Sequence, residues 1–269
     1  MAIVVNTGDD ERFHGLHVSP DLDTMTYTLS GLYNPETGWG INGDSFETLQ
    51  MLNRLGADTW FNLGSRDFAM HIRRTELLAQ GSSLSRVTAQ LTANLGIAHP
   101  IIPMSDQPVR TVLDTDDGTL SMQEYFVHRR AEPVVRSIEY VGASDAEPSP
   151  DFASALDAAS TIIICPSNPF LSVAPILAVP GVRDAIASHT GPRIAELGSD
   201  VSAVGVAREY RGFCDVLVLD SQDANLADAV SAEGIDAAVM PTIMQTDDDK
   251  VQLAERVLAL AADLENRRS

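Results

Sequence analysis

Near its start the chain reads Ile3-Val4-Val5-Asn6-Thr7-Gly8-Asp9-Asp10, an apolar run that passes directly into a polar turn. Such a run is typical of a buried β-strand, and the Asn-Thr-Gly-Asp sequence marks the turn that ends it. In open α/β sheets, ligands bind just beyond the carboxyl ends of the strands. We therefore expect Asp9 and Asp10 to lie at a ligand-binding rim, although Asp and Asn are also ordinary turn residues.

A second acidic segment, Ser19-Pro20-Asp21-Leu22-Asp23-Thr24, follows a short distance along the chain. Carboxylates grouped at a strand rim suit a hard cation such as Mg²⁺, and Mg²⁺ in turn suits phosphate chemistry. The two segments together favour a Mg²⁺-assisted reaction at a phosphate group. Turn composition alone explains the same residues equally well, so both interpretations stay open at this point.

Length and composition indicate a globular α/β protein. The chain has 269 residues, of which 44% are hydrophobic, and its mean hydropathy is −0.01. No apolar run reaches the roughly 18 residues that indicate a membrane span, and the start lacks the basic and apolar regions of a signal peptide. The two cysteines, Cys165 and Cys214, do not indicate a disulfide framework. We expect a cytoplasmic protein.

The net charge limits the classes of binding partner that we expect. The net charge is −20, and Lys250 is the only lysine. Phosphate backbones of nucleic acids need a positive footprint, so we expect no nucleic-acid partner. The absence of a long apolar run leads us to expect no membrane partner either. A small phosphorylated molecule remains compatible with this charge, because Mg²⁺ and a few arginines can hold it.

Strands and helices alternate along much of the chain. We predict helices at 44–55, 68–78, 84–95, 226–233 and 250–265, and strands at 97–103, 134–141, 161–165 and 216–219. Two further strands, 110–113 and 120–127, flank Asp116-Asp117-Gly118 and predict a hairpin. This order favours one α/β domain over residues 1–269, with a mostly parallel sheet covered by helices on both faces. Residues from about 44 to 150 interrupt the pattern and predict an inserted α+β cap.

A helix start near Gly64 carries several polar groups. Arg66 and Arg74 suit phosphate oxygens, because a guanidinium matches that geometry, and His71 suits proton transfer. The simpler alternative is a solvated helix face with a hydrogen-bonded, partly buried histidine.

Two more polar pairs follow predicted strands. Ser105 and Asp106 come after the strand that ends at Pro103, and Ser167 and Asn168 lie between two prolines after the strand that ends at Cys165. A rigid turn with exposed donors suits phosphate or base recognition. An ordinary turn before a helix, with Ser172 as its N-cap, is the alternative.

Seven short motifs along the chain are more specific than single turns or strand ends. In order and spacing the motifs resemble the 2-phospho-L-lactate transferase family, which makes the deazaflavin coenzyme F-420. They cover nearly the whole chain, and such a series is highly specific. The matching motifs are Asn6-Thr7-Gly8-Asp9-Asp10, Ser19-Pro20-Asp21-Leu22-Asp23-Thr24, Gly38-Trp39-Gly40, Leu63-Gly64-Ser65-Arg66-Asp67, Pro103-Met104-Ser105-Asp106, Gln123-Glu124-Tyr125-Phe126-Val127 and Pro166-Ser167-Asn168-Pro169.

The resemblance implies a Rossmann-like core, Mg²⁺ dependence and transfer of a phospholactyl or phosphoenolpyruvyl group from a guanylylated donor to the deazaflavin alcohol Fo, with release of GMP. It also makes a homodimer plausible. On this basis Asp23 is the catalytic residue and, with Thr24 and Asn62, contacts Fo, while Asp9 and Asp21 hold the metal. The other expected substrate-binding residues are Arg66, His71, Ser105, Asp106, Ser167 and Asn168.

The chain also departs from the family pattern. Relatives carry a glycine-rich phosphate loop before the first strand and a Gly- and Lys-bearing loop where this chain passes from Ile194 to Ala195, and neither matches here. Ser65 stands where relatives usually carry Asp. Two alternatives therefore remain, a non-catalytic nucleotide-sugar-binding regulator of the same superfamily and an inactive remnant. The native three-carbon donor is left open.

Overall fold

The computed structural model describes residues 1–196 and 202–268. The chain forms two compact units, the first Met1–Ala155 with Pro175–Pro180 and the second Leu156–Ala174 with Gly181–Ser269. It is a mixed α/β fold with parallel strand ladders and many helices, as the sequence predicts. Residues 44–150 all fall in the first unit, and their role as a cap inserted into a single domain stays a prediction.

A parallel ladder of two strands begins the first unit. Strand β1 (Ile3–Val5) pairs with β4 (Ile101–Pro103). Apolar side chains of both strands pack with Leu22 and Leu84 in one buried cluster. The polar turn after Val5 therefore leaves from the carboxyl end of a strand that is half-buried at Ile3 and Val4 and buried at Val5. The predicted strand and the turn that ends it are confirmed, and the ligand-binding rim stays a prediction.

A tight hairpin not predicted from the sequence follows this turn. Strands β2 (Glu11–Phe13) and β3 (Leu16–Val18) pair antiparallel around His14 and Gly15, whose φ angles are 53° and 80°. Positive φ at both central residues is the geometry of a type I′ turn, which matches the twist of the two strands. The hairpin returns the chain so that Ser19 Oγ donates a hydrogen bond to Asp10 Oδ2 at 2.9 Å.

The segment after Ser19 is a helix. Helix α1 (Pro20–Leu29) has proline at its first position and both Asp21 and Asp23 in its first turn. The fixed φ angle of proline suits the first helical position, and acidic side chains in the first turn are stabilised by the positive end of the helix dipole. The second acidic segment is therefore a helix N-terminus.

Three helices between Glu47 and Asn94 correspond to the three predicted from periodicity. They are α2 (Glu47–Arg54), α3 (Asp67–Ala79) and α4 (Leu84–Asn94). Only α2 begins clearly later than predicted. The reason is Asp44, whose carboxylate accepts backbone N–H groups of Ser45, Arg66 and Asp67 and so belongs to the start of α3.

The predicted hairpin around Gly118 is confirmed. Strand β5 (Arg110–Thr115) lies between β6 (Gly118–Ser121) and β7 (Val135–Val141) in an antiparallel sheet. The prediction that the second strand continues to Val127 is wrong, because Glu124–His128 form a π-helical turn. Ser121 and Glu124 explain the change, since each side chain binds the other's backbone N–H in a capping box.

The second unit contains a four-stranded parallel sheet. Its order is β11–β10–β9–β8, with bounds Asp236–Met240, Val216–Asp220, Arg193–Glu196 and Ile162–Ile164. The helices of this unit are α7 (Val182–Ser188), α8 (Ala203–Tyr210), α9 (Ala227–Ala232) and α10 (Asp247–Arg268). Helices α5 (Pro150–Ala158) and α6 (Ala174–Ala178) lie mostly in the first unit. The core joins Ile194 and Val218 of the sheet to Leu253 and Val257 of α10.

Strand β9 pairs in parallel with both of its neighbours. No strand was predicted there from the sequence, and Leu197 and Gly198, which follow β9, lie outside the described residues. Across the described part of the chain, no single helix is long and apolar enough to cross a membrane, and one bent pair, Pro169–Ala178 with Val182–Ser188, meets that test only by length and composition.

Candidate active site

A cavity of about 370 Å³ opens in the first unit, a size typical of small-molecule sites. One set of lining residues is polar and another is apolar or aromatic. The polar set is Asp23, Thr24, Asn62, Asp67, His71 and Gln123. The apolar and aromatic set is Val18, Pro20, Tyr27, Trp39, Phe61, Leu63 and Val127.

The aromatic wall is supported from behind. The rings of Phe13 and Phe61 stack with centroids 4.0 Å apart and an interplanar angle of 3°, and Trp60 meets both rings edge-on. Phe13 and Leu63 belong to a buried cluster that also contains Val18. Phe61 is therefore held in place by packing, and the wall is preformed.

Helices α1 and α3 supply most of the polar floor of the cavity, and Asn62 and Gln123 come from outside these helices. Asp23 and Tyr27 are four residues apart on α1, and Asp67, His71 and Arg74 recur at helical spacing on α3. These spacings place each set on one helix face. The five side chains meet as a buried polar ladder, the name we use for them below.

Asp23 is only 4% exposed and lines the cavity. Arg74 Nη1 donates to Asp23 Oδ2 at 3.1 Å, and Arg74 Nη2 donates to Oδ1. The backbone N–H of Ser19 also points at Oδ2, at 3.4 Å. The predicted catalytic carboxylate is thus at the cavity, and a bidentate ion pair fixes its plane.

The other end of the polar ladder centres on Asp67. Tyr27 donates its hydroxyl to Asp67 Oδ1, and His71 Nε2 lies 3.4 Å from the same oxygen. Burial alone would raise the pKa of Asp67, but contact with His71 and the bond from Tyr27 outweigh it and hold that pKa below its usual value. Burial raises the pKa of Tyr27, and the carboxylates of Asp23 and Asp67 raise it further, so its hydroxyl stays a donor.

The two arginines considered for phosphate contacts occupy different surroundings. Arg74 is 3% exposed and does not line the cavity, and Asp23 occupies its guanidinium. Burial alone would lower the pKa of Arg74, but Asp23 raises it above its ordinary value. Arg66 is exposed, and its guanidinium donates to the backbone oxygen of Asn42 at 3.3 Å. Neither arginine is part of the described cavity wall.

Asp9, Asp10 and Asp21 form an acidic corner beside the polar ladder. Burial raises the pKa of Asp9 well above its usual range, and the carboxylates of Asp21 and Asp10 raise it further. Burial also raises the pKa of Asp21, against the hydrogen bond that Asn6 Nδ2 donates to it at 3.0 Å. Three carboxylates repel one another here, so a positive charge would stabilise the corner.

The donor atoms of the acidic corner suit a shared Mg²⁺ ion. Asp9 Oδ1 and Asp10 Oδ1 are buried without a hydrogen-bond partner among the described residues. Across those residues, no group of three His, Cys, Asp or Glu side chains has the arrangement of a complete metal site. Mg²⁺ usually takes one or two carboxylates together with water and substrate phosphates, so an incomplete protein site is compatible with it.

Gly8 allows the loop before the acidic corner to pack closely. A Cβ at this position would lie 2.6 Å from Thr111 Oγ1 and 2.9 Å from Asn6 Oδ1. The Gly8 N–H donates to that Asn6 oxygen at 2.8 Å, and its carbonyl accepts from the N–H of Thr111. A side chain at Gly8 would therefore push the loop, and Asp9 with it, away from β5.

Thr24 and Asn62 both line the cavity with Asp23, as does His71. Ser105 and Asp106 do not. The Ser105 hydroxyl is fully buried and lies within hydrogen-bond distance of two acceptors, Gln107 Oε1 and the carbonyl of Glu147. Asp106 accepts from the N–H and hydroxyl of Ser85. Both side chains have structural partners in the first unit.

Ser167 and Asn168 belong to the second unit and are exposed. Asn168 Oδ1 accepts the backbone N–H groups of Phe170 and Leu171. It therefore caps the π-helical turn Pro169–Val173, in the place where the alternative interpretation expected an ordinary turn before a helix. Their predicted contact with a nucleotide stays a prediction.

Among the cavity residues that carry a hydrogen-bonding group, Tyr27, Asp67 and Gln123 were not assigned a role from the sequence, although Asp67 and Gln123 stand in motifs that carry the family resemblance. Asp23 and Tyr27 are four residues apart, as are Asp67 and His71. In a helix this spacing places both side chains on one face, so it could have indicated that Tyr27 and Asp67 belong to the site. Gln123 gave no such signal, because it reaches Asp9 from a separate sheet and turn.

Two comparisons with known proteins show the family of this chain, and a third shows its fold. Residues 1–252 match the family described as 2-phospho-L-lactate transferase CofD. A "2-phospho-L-lactate transferase" of Methanopyrus kandleri is 34% identical, and a "Phosphoenolpyruvate transferase" of Streptomyces griseus is 37% identical; each alignment covers 98% of this chain and 91% of the relative. A crystal structure of the Bacillus halodurans protein BH3568 shares the fold, with a TM-score of 0.66 at 14% identity over 96% of this chain and 91% of that one. This chain belongs to the 2-phospho-L-lactate transferase CofD family.

Proposed function

We propose that this chain transfers a phospholactyl or phosphoenolpyruvyl group from a guanylyl diphosphate-linked donor to Fo, releasing GMP, as a step of coenzyme F-420 biosynthesis. The relatives named above include transferases of both group types. The observation that carries the proposal is one cavity that joins an aromatic wall to a polar floor containing Asp23, Thr24 and Asn62.

The acceptor fits the two sides of this cavity. A flat deazaflavin ring suits Trp39 and Phe61, because aromatic rings bind one another offset-stacked or edge to face. A ribityl chain carries hydroxyl groups, which suit the polar floor. The terminal hydroxyl is then directed toward Asp23 at the N-terminus of α1.

Asp23 orients the attacking hydroxyl. Its two oxygens each bind Arg74, but a carboxylate oxygen accepts more than one hydrogen bond, so a lone pair remains for the acceptor. The hydroxyl oxygen attacks phosphorus, the bond from phosphorus to the bridging oxygen breaks, and GMP leaves with that electron pair. The hydroxyl proton passes to Asp23 or to solvent as the new bond forms.

Asp9 and Asp21 would hold Mg²⁺ in the acidic corner. When bound, the ion neutralises charge on the diphosphate and on the leaving GMP. Asp10 accepts from Ser19 Oγ and lies 2.8 Å from His17 Nε2, which fixes its carboxylate beside the other two.

The remaining predicted contacts complete the proposal. Arg66 and His71 would contact the substrate from the first unit. Ser105 and Asp106 would support the loop after β4. Ser167 and Asn168 would contact the guanylyl part of the donor. A cytoplasmic location, a homodimer and the absence of nucleic-acid and membrane partners also stay proposals.

The test is a transfer assay with Fo, the guanylylated donor and Mg²⁺, followed by separation of the deazaflavin product and GMP. We expect both products with the wild-type chain and roughly a 10²-fold or greater loss of turnover in Asp23→Asn. Asp151→Asn is the matched control, because Asp151 is an exposed aspartate in the first turn of α5. Binding of guanylyl ligand without any turnover would instead favour the regulator.

A further inference from the structure

Arg74 carries a buried charge that the proposed reaction does not use directly. It is 3% exposed and does not line the cavity. Its Nε is buried without a hydrogen-bond partner among the described residues. Because an isolated buried charge is strongly unfavourable, the interactions of its two terminal nitrogens must account for its position.

Those nitrogens bind the carboxylate of Asp23. Nη1 meets Oδ2 at 3.1 Å and Nη2 meets Oδ1, so the guanidinium and the carboxylate share two parallel hydrogen bonds. A two-point contact of this kind fixes the rotation of a carboxylate as well as its position. A lysine ammonium is a point charge and cannot fix that rotation.

The same guanidinium also reaches His71. Nη1 lies 3.4 Å from His71 Nδ1, and His71 Nδ1 lies 3.6 Å from Asp23 Oδ2. Arg74 therefore contacts two residues that line the cavity, from a place behind both of them.

We propose that Arg74 is a positioning residue for the transfer reaction, which holds the Asp23 carboxylate in the orientation that the acceptor hydroxyl requires. This inference rests on the proposed function. Displacement of a reacting group by about 1 Å lowers turnover roughly 10²-fold. Loss of the two-point contact should therefore act on turnover, while the aromatic wall that binds the ring stays intact.

The first test is Arg74→Lys, which keeps the positive charge and removes the two-point contact. We expect kcat to fall about 10- to 10²-fold while KM for Fo stays within about threefold. Arg73→Lys is the matched control, because Arg73 is the neighbouring residue but is exposed and pairs with Glu76 on the surface. A wild-type kcat in Arg74→Lys would overturn the proposal.

The second test is whether Arg74 acts through Asp23. If it does, Asp23→Asn and Asp23→Asn/Arg74→Lys should have the same kcat within about threefold, because the second change has nothing left to position. If the fold-losses in kcat of the two single variants multiply in the double variant, Arg74 has a role separate from Asp23, and the proposal is overturned.

Folding is checked for every variant by thermal unfolding. If Arg74→Lys does not fold, Asp23→Asn/Arg74→Gln replaces the ion pair with two amides, and its kcat should equal that of Asp23→Asn. If neither variant folds, the guanidinium is a structural requirement and the proposal is overturned. Binding of Fo is measured by the quenching of Trp39 and Trp60 fluorescence. This measurement separates the proposed function from the proposed role of Arg74. A wild-type chain that binds Fo but transfers nothing contradicts the proposed function, whereas full transfer by Arg74→Lys contradicts only the role of Arg74.

Discussion

Gln123 Nε2 donates a hydrogen bond to Asp9 Oδ2 at 3.2 Å, across 114 positions of the chain. Gln123 lines the cavity, and Asp9 belongs to the acidic corner. Since Asp9 Oδ1 has no partner among the described residues, this amide satisfies the other of two buried oxygens. One side chain thus connects the proposed acceptor cavity to the proposed Mg²⁺ site.

Gln123→Ala should lower the free energy of unfolding by about 1–3 kcal/mol, because it leaves both oxygens of a buried carboxylate unsatisfied. Urea unfolding without Mg²⁺ measures the loss. Gln80→Ala is the control, since Gln80 is exposed and contacts Glu76 only at 3.4 Å, and we expect a change within about 0.5 kcal/mol. Equal effects of the two substitutions would contradict the role of Gln123.

Asp9 should make the wild-type protein less stable as pH rises. The pKa of Asp9 is raised in the folded chain, so this group favours folding fully below its unfolded pKa of about 4, and the contribution is lost as pH rises through the folded value. Asp9→Asn removes that loss. The variant should therefore gain stability relative to wild type between about pH 4 and pH 7, measured by urea unfolding with a chelator present. A difference that stays constant over this range would contradict the repulsion described for the acidic corner.

Mg²⁺ should stabilise the wild-type chain against heat and should stabilise Asp9→Asn much less. A ligand that binds only the folded chain adds about 2.7 kcal/mol at 100 times its Kd. Asp248→Asn is the control, because Asp248 lies exposed in the acidic first turn of α10 and reports general charge screening. Thermal unfolding in MgCl₂ and in NaCl of equal ionic strength separates binding from screening. An identical response of wild type and Asp9→Asn would place the metal elsewhere.

Gly8→Ala should destabilise the chain by about 1–3 kcal/mol, because the added Cβ meets Thr111 Oγ1 and Asn6 Oδ1 at less than 3.0 Å. Adding Thr111→Ala removes one of these two contacts and should recover part of the loss. Urea unfolding of the single and double variants measures the recovery. If the two losses simply add, the close contact with Thr111 is not the cause.

Local patterns predicted several elements of the first unit correctly. The apolar run before Asn6 gave β1, and periodicity gave α3 and α4 within a residue or two of their bounds. Helix α1 is missing from the prediction although Ser19-Pro20-Asp21 carries the marks of a helix start, because the same residues also suit a turn. The capping box of Ser121 and Glu124 was visible in the sequence too, but a β-like apolar pattern competed with it.

The candidate site was harder to predict for a physical reason. Asp23, Thr24, Asn62 and His71 were named from the sequence, and all four line the cavity. The partner of Arg74 was not predictable, because it depends on how α1 packs against α3, and the spacing of residues within one helix says nothing of that. Ser105 was chosen for its place after a strand, yet its neighbours turn the hydroxyl inward toward Glu147.

The buried polar ladder also constrains how this protein can evolve. Four of its side chains line the cavity, and the fifth, Arg74, holds Asp23 from behind. The same contacts tie α1 to α3, so a change in the polar ladder alters ligand preference and folding together. Trp39 contacts the cavity from a partly exposed loop and takes no part in these ties. Selection for a different acceptor should therefore act first at Trp39 and its loop, and leave the charged floor unchanged across long divergence.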